Sequence, residues 1–565
     1  MSTGNFATTA LIKSSVAGAV ARIPQDVWFE TPSVKNLGAI GDGVANDTAA
    51  LAAAFALGGF VFLPPGTYKV TASAASAPVF ALSAKTIIVG INAKISYQPG
   101  SGNTNSHLFY ATADNCEFHG LEIENFGGSS TNGIPTTGQA SGCHSIQFDG
   151  VSGGVVKDCI LRKGHYAVSG VDSSDLDISE NRMMNVQSTG VHFLRCSEST
   201  IDRNRITDVG YDGIKISGGE FTESTGLSIK GNVIRLAGRD AIDTYNGLRH
   251  SVVDGNVSID CLLNGYEFKG TPSDVRYVDV ANIFSNNMAF GAGASGFNCA
   301  SLRRAQMNGN MAVGCVGSGF VFTTCQQISA AGNSAFANQE HGFRWSGTQR
   351  HSVYSSLLAL DNGYTDGSGA ASNFSGFFAS GDISTCRFTD LLAHNGTMSG
   401  EQGGQKWGLD LSNDASNAVF QNCYFYGQSG GIGSTQSGSN LLERNDYINV
   451  NDFGVRRNYL YLPETTINAA AGDTTSNLVS AMVFGTVYHV RLQETVALNG
   501  DANKSFSLGD GTTPDLFLAA VTATGSAVGY AIVDGSLHVG KPLRVTVTNN
   551  AGATAGTVTA KVVVK

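Results

Sequence analysis

Between residues 155 and 347, polar and apolar positions return in a short pattern that lacks the spacing of an amphipathic helix. The pattern can be marked at Asp158, in Lys157-Asp158-Cys159-Ile160, and then at Asn181, Asn204, Asn232, Asn256, Asn287, Asn310 and Asn333. Successive marks lie 23, 23, 28, 24, 31, 23 and 23 residues apart. Eleven residues beyond each mark is the middle of a second alternating segment, as in Gly190-Val191-His192-Phe193, Gly213-Ile214-Lys215-Ile216, Gly265-Tyr266-Glu267-Phe268 and Gly342-Phe343-Arg344-Trp345. The offset is constant while the distance to the next mark varies, so length variation is confined to one connection per repeat.

Repeats of this length with period-two alternation are too short for a four-stranded propeller blade and predict coils of a parallel β-solenoid. Asn at equivalent positions of successive coils can stack into a hydrogen-bonded ladder. A sandwich of short strands, the alternative all-β architecture, has no such repeat.

Ahead of the repeats, Asp47-Thr48 followed by the Ala-rich run to Leu57 predicts an N-capped helix, stopped by Gly58-Gly59. Phe60 to Leu63, then Pro64-Pro65-Gly66-Thr67-Tyr68, predict strand, turn, strand. A helix there would cover the open end of the solenoid. Residues 127–142 are rich in Gly, Ser and Thr and read as a surface loop. Beyond Trp345 the repeat loosens, with insertions at 361–375 and 397–405. The last hundred residues alternate as short strands (486–494, 505–508, 516–523, 528–533, 543–548) between turn signals such as Asn499-Gly500 and Asp534-Gly535. They predict a small antiparallel β-sandwich, either a clamp between subunits or a carbohydrate-binding module.

Composition supports this picture. Gly is 71 of 565 residues and charged residues only 14%, which suits tight turns between short strands. The net charge of −10 comes without a basic run, so neither nucleic acid nor an acidic membrane surface is an expected partner. No apolar run is long enough to cross a bilayer, and membrane insertion is not expected. Ten Cys show no C-x-x-C or zinc spacing. Cys261 and Cys315, each five residues after a mark, predict core-facing thiols made in a reducing cytosol. No metal or cofactor is expected. The N-terminus lacks the basic start of a signal peptide.

The constant offset places Ser169, His192, Lys215, Asp243, Glu267, Asn298, Val321 and Arg344 in one outward column. A second column, three residues earlier, holds Thr189, Asp212, Asp240, Asn264 and Ser295. Coils repeat every ~4.8 Å and three residues span about 10 Å. Asp212, Asp240, Asp243 and Glu267 therefore form one carboxylate cluster, with Lys215, Arg239 and Lys269 beside it. Like charges on neighbouring strands raise one another's pKa, and glycosidic cleavage needs one protonated and one ionised carboxyl. The long connections after Lys215 and Glu267 could wall a groove there. Tyr245, Tyr277, Trp345 and, less readily, Tyr266 could offer stacking faces to sugars. The bland readings stand beside these: Asp212 before Gly213 as a turn residue, His192 as a surface or subunit-contact histidine, and Asp243 with Glu267 as a solvated face neutralised by Lys215, Arg239 and Lys269.

The run from Val34 to Thr48, followed by Phe62-Leu63-Pro64-Pro65-Gly66-Thr67-Tyr68, resembles the start of the pectate-lyase-like β-helix of bacteriophage tailspikes, including capsule and O-antigen depolymerases. The D-x-x-D run Asp240 to Asp243, with Glu267 one coil on, is similar to carboxylate groupings of tailspike endoglycosidases. The resemblance implies a right-handed single-stranded parallel β-helix and a homotrimer. It also implies hydrolysis of a bacterial O-antigen or capsule, with Glu267 as general acid, Asp243 as base or nucleophile and Asp240 in support. Asp212, Lys215, His192, Arg239, Tyr245, Lys269, Arg344 and Trp345 would then bind substrate. The implied organisation is a virion-attachment segment (1–33), a cap (34–75), the β-helix with its groove (76–455) and the C-terminal β-sandwich (456–565). The setting would be a phage tail, joined to a tail or baseplate adaptor protein and acting at the host surface. Two alternatives use the same fold: a polysaccharide lyase, with Lys215 or His192 as base and Arg239 or Arg344 neutralising a uronate, and a receptor-binding spike without catalysis.

Overall fold

Each turn of the chain is laid down as three short strands, as the alternation of single inward residues requires. In one turn these are Ser228–Lys230, Val233–Ala237 and Ile242–Tyr245. They pair in parallel with Val252–Asp254, Val257–Ile259 and Tyr266–Lys269 of the next turn. Ile229, Ile234 and Ile242 point inward and are fully buried. The computed structural model describes residues 33–72, 78–99, 107–126, 143–218, 224–245, 248–269, 281–363, 374–394 and 407–411, then short segments between 418 and 564. The attachment segment predicted for 1–33 (bar Ser33), the loop at 127–142, Tyr277 and most of both later insertions lie outside the described residues.

The third strands of successive turns form one parallel sheet of fourteen strands, from Phe80–Leu82 to Gly430–Ser434. This sheet carries the candidate site. Near the N-terminus the first two strands of a turn merge into the long strand Thr86–Pro99, which pairs with both Gly59–Leu63 and Gly66–Ala72.

The predicted asparagine ladder is present. Asn181, Asn204, Asn232, Asn256, Asn287 and Asn310 each donate from Nδ2 to Oδ1 of the Asn one turn on, at 2.9–3.0 Å, ending at Asn333. The backbone N–H of each donates to that same oxygen, and a second Nδ2 proton goes to a carbonyl of the preceding turn, as from Asn232 to Ile201 at 2.9 Å. The residue before each Asn turns the corner in the left-handed region, which Gly adopts without strain at Gly231 and Gly255. The first mark needs correction. Ile160 pairs with Arg182, and Cys159 N–H donates to Asn181 Oδ1, so Cys159 and not Asp158 is equivalent to the asparagines. Asp158 is instead the left-handed corner residue, at φ 55°.

Inside the solenoid, Tyr266, Phe297, Phe320, Phe343 and Phe377 stack face to face at 4.6–5.4 Å, one ring per turn. All ten cysteines are free and buried, among them Cys261 and Cys315, as predicted for those two. The glycines opening the third strands are set by clearance: a Cβ on Gly265 would lie 2.7 Å from the carbonyl oxygen of Gly296.

The cap helix spans Thr48–Ala56, as predicted. Asp47 occupies its N-cap without capping it. Its carboxylate instead accepts from the N–H groups of Ile40, at 2.7 Å, and Gly41, at 3.1 Å, tying the preceding loop to the helix start. The chain divides into a solenoid unit (1–418 and 428–440) and a second unit (419–427 and 441–565). The second contains two antiparallel sheets. One joins Leu460–Tyr461, Thr465–Asn468, Val487–Val496, Val528–Asp534 and Thr557–Val564; the other joins Thr474–Val479, Ser505–Gly509, Leu518–Thr522 and Leu543–Thr548.

Candidate active site

Strand register sets the site. His192 pairs with Lys215, Lys215 with Asp243, Asp243 with Glu267 and Glu267 with Asn298, so the outward column read from the repeat is real. The same register puts Asp212, Asp240 and Asn264 side by side three residues earlier. Oxygens of Asp212, Asp240 and Asp243 lie within 4.8 Å of one another.

These carboxylates are not on a solvated face. Asp212 and Asp240 are 0% exposed, Asp243 1% and Glu267 6%, so the solvated reading of Asp243 and Glu267 is corrected. What water meets is the layer above them, the partly exposed Lys215, Arg239 and Lys269. Lys215 Nζ bridges Asp243 Oδ2 at 2.5 Å and Asp212 Oδ2 at 3.2 Å. Arg239 Nη2 bridges Asp240 Oδ2 at 3.4 Å and Glu267 Oε2 at 3.5 Å. Lys269 Nζ reaches Glu267 Oε1 at 3.0 Å, where Asn298 Nδ2 also donates at 3.2 Å. Asp240 Oδ1 accepts from the N–H of Asn264 at 2.8 Å and its Nδ2 at 3.0 Å. Asp243 Oδ1 has no hydrogen-bond partner among the described residues.

Burial first, then the charges of Glu267 and Asp212, pushes Asp240 up to about 7. Burial pushes Asp212 up to about 6 against the pull of Lys215. For Lys215, burial works to lower the ammonium, but Asp212 and Asp243 outweigh it and the net shift is upward. Asp212 is thus more than a turn residue: it anchors Lys215, and its Oδ1 accepts from the Asp240 N–H at 3.3 Å.

The substrate-binding candidates divide. Asp212, Lys215, Arg239, Lys269 and Tyr245 gather at the carboxylates; Tyr245, 43% exposed, has Lys269 Nζ 5.5 Å from its ring centre. Tyr211, which the sequence reading did not single out, carries the Arg239 guanidinium 4.5 Å over its ring. Its place beside Asp212 was the available signal. His192 is one turn away and meets Tyr166 at 4.9 Å with the rings tilted by 41°, and burial, then Lys215, lowers it to about 4. Arg344 is three turns beyond Glu267, about 14 Å along the axis. Trp345 is a correction: it points inward, is 0% exposed, and packs against Phe322, Tyr354, Phe377 and Phe388, so it offers no face to a sugar. Alternation put Trp345 inside as firmly as it put Arg344 outside.

Residues 90–269 and 166–335 match the family model described as right handed beta helix region. No curated protein matches the sequence. Among solved structures, the chain is similar to the tailspike protein of E. coli bacteriophage HK620 in complex with pentasaccharide, at 12% identity over 96% of this chain and 98% of that one, with a TM-score of 0.51. A mutant of that tailspike with pentasaccharide gives 12% identity, 96% and 97% coverage and a TM-score of 0.52. The A-module of the Azotobacter vinelandii mannuronan C-5 epimerase AlgE6 matches at 15% identity over 73% of this chain and 98% of that one, with a TM-score of 0.41. The fold is an all-β, right-handed parallel β-solenoid with little helix.

Proposed function

We propose that this chain is a phage tailspike that binds and hydrolyses a bacterial surface polysaccharide, an O-antigen or capsule, as a homotrimer whose C-terminal strands form a β-sandwich. One observation carries the chemistry: carboxyl oxygens packed within 4.8 Å of one another, with Asp240 pushed up to about 7. At neutral pH such a cluster holds a proton beside ionised neighbours, the condition for acid–base cleavage of a glycosidic bond. Asp240 carries that proton, and Arg239 Nη2 lies between it and Glu267, at 3.4 and 3.5 Å. Glu267, the more accessible of the two, is the general acid toward the glycosidic oxygen. Asp243, held by Lys215, is the base or nucleophile. Elimination is less well supported, because Lys215 is held as an ammonium and His192 is a weak base a turn away.

A second reading, a receptor-binding spike without catalysis, draws on the depth of the carboxylates and their pairing with Lys215, Arg239 and Lys269. One experiment separates the three. The protein and its Glu267→Gln variant are incubated with polysaccharides from a panel of Gram-negative strains, following chain length and ultraviolet absorbance. Shortening without new absorbance, lost in the variant, is the expected result. Shortening with absorbance of an unsaturated uronate would identify a lyase, and tight binding without shortening a non-catalytic spike.

A further inference from the structure

The second strands of successive turns present an outer face unlike those of the first and third. Ile259, Phe290, Val313, Phe336 and Leu360 pair from turn to turn, one residue beyond the buried Ser258, Ala289, Ala312, Ala335 and Ala359, and so form an outward column. Two residues earlier, a second outward column runs from Val257 through Met288 and Met311 to Leu358, with Ser334 as its one polar member. Val233 and Leu392 carry that column one turn further at either end. The corner that follows adds the exposed Leu262 and Val316, while Gly291, Gly314 and Ala337, in the left-handed region, raise no large side chain between them. Over the same turns the third strands put out Glu267, Asn298 and Arg344, and the first strands mix Ile283 and Val353 with Asp254, Gln306 and Ser329.

Size and charge narrow what covers this face. From Val233 to Leu392 it extends about 29 Å along the axis, and from the strand over the corner about 18 Å across, an outline of roughly 500 Å². A ridged surface exposes more than its outline, so the face is near the largest apolar patch usual for a monomer and comparable with the ~800 Å² that each partner buries in a specific interface. Arg235 and Asp260, 4.0 Å apart at its N-terminal edge, balance one another. A neutral apolar face does not repel an identical one, and its ridges, ~4.8 Å apart, match the spacing of the same ridges on another copy. A sugar chain would find one hydroxyl, that of Ser334, among the ten residues of the two columns between Val257 and Leu360. A lipid surface is drawn by rows of Lys and Arg around an apolar face, and Arg235 is balanced by Asp260.

We propose that the outer face of the second strands is the surface through which copies of this chain meet, side by side along the solenoid. The apolar area takes in both the strands and the corner toward the third sheet, so one copy can touch two neighbours, as closure about a threefold axis requires. The third strands, with Asp243 and Glu267, stay outside the contact and open to substrate. The inference rests on the homotrimer of the reading above and not on cleavage, and it names the face that the homotrimer buries.

The test reads assembly and the face separately, on the full-length protein. Sedimentation gives the oligomeric state, and dilute hydrogen peroxide followed by peptide mass spectrometry gives the rate at which each methionine becomes sulfoxide. Met288 is 39% exposed on the single chain, and the fully buried Met307 serves as internal reference. The expected result is an oligomer in which Met288 reacts as slowly as Met307. Phe290→Lys with Phe336→Lys, both at outward positions, should raise the concentration at which the oligomer dissociates by at least about tenfold, while Gln306→Lys with Ser329→Lys on the first strands should leave it unchanged. An oligomer whose Met288 reacts as fast as methionine in a free peptide would overturn the inference and leave the homotrimer standing on another face, as would equal dissociation of the Phe290→Lys, Phe336→Lys protein and its parent. A monomer would overturn both, with a fast Met288 assigning the face to a different partner and a slow one to cover from within the chain.

Discussion

The asparagine ladder and the carboxylate cluster occupy the same turns of the solenoid, and both hold polar side chains out of water. In the ladder every amide is at once donor and acceptor, so a column of identical residues satisfies itself from turn to turn. Carboxylates in adjacent columns can only accept, and stacking them multiplies repulsion. Lys215 and Arg239 relieve this in part, and the remainder is expressed as the raised proton affinity of Asp240 and Asp212. Repetition makes a buried amide cheap and a buried charge expensive, so the cluster is a cost that the ladder does not carry.

The largest effect should come from breaking the self-satisfying column. Asn256→Leu strands the N–H and Nδ2 of Asn232 and should cost about 4 kcal/mol, at roughly 1–3 kcal/mol for each buried group left unpaired. Denaturant unfolding would measure it, and a loss below about 1 kcal/mol would mean that the ladder is incidental. Next is the cluster itself. Lys215→Met removes the cation shared by Asp212 and Asp243 and should destabilise by about 3 kcal/mol at pH 8, since breaking a buried pair leaves an uncompensated charge. The deficit should shrink toward pH 5 as Asp212, raised to about 6, takes up its proton; a deficit independent of pH would contradict the electrostatic account.

Asp240→Asn tests the proton directly. A carboxyl raised from 3.8 to about 7 binds its proton more tightly folded than unfolded, so its contribution to stability is present in acid and lost as pH rises through about 7. The stability of the variant relative to the parent should therefore climb between about pH 4 and pH 7, by about 4 kcal/mol, and level off above. A flat difference would return Asp240 to an ordinary carboxylate. Smallest is Tyr245→Ser. It alters an exposed ring at the rim, so stability should move by less than about 0.5 kcal/mol, while polysaccharide affinity measured on the same sample falls.

Much of this arrangement was legible in the chain. A fixed offset of eleven residues sufficed to align Lys215, Asp243 and Glu267, because strand register in a solenoid is set by the repeat itself. Depth was not legible. Alternation says that Asp243 leaves the core, but its 1% exposure is set by the long side chains that close over it, and their reach is not encoded in spacing. Cys159, the true ladder equivalent, offers no amide to recognise, so the polar Asp158 beside it mimics the mark. The stacking of His107 on His144 escaped for a related reason: between residues 70 and 155 no marks recur at a steady interval, so their columns could not be tied to those of Asp212 and Lys215 from sequence.

The ladder has one more consequence. Every amide in it points the same way, with the nitrogen of one turn meeting the oxygen of the next, so the column has a direction, and a newly folded turn always presents an unfinished bond to its successor. A whole turn could be excised or duplicated between two asparagines and the row of amides would close again without a seam. The solenoid can thus be lengthened or shortened in units of one turn while the strands of the third sheet stay in register.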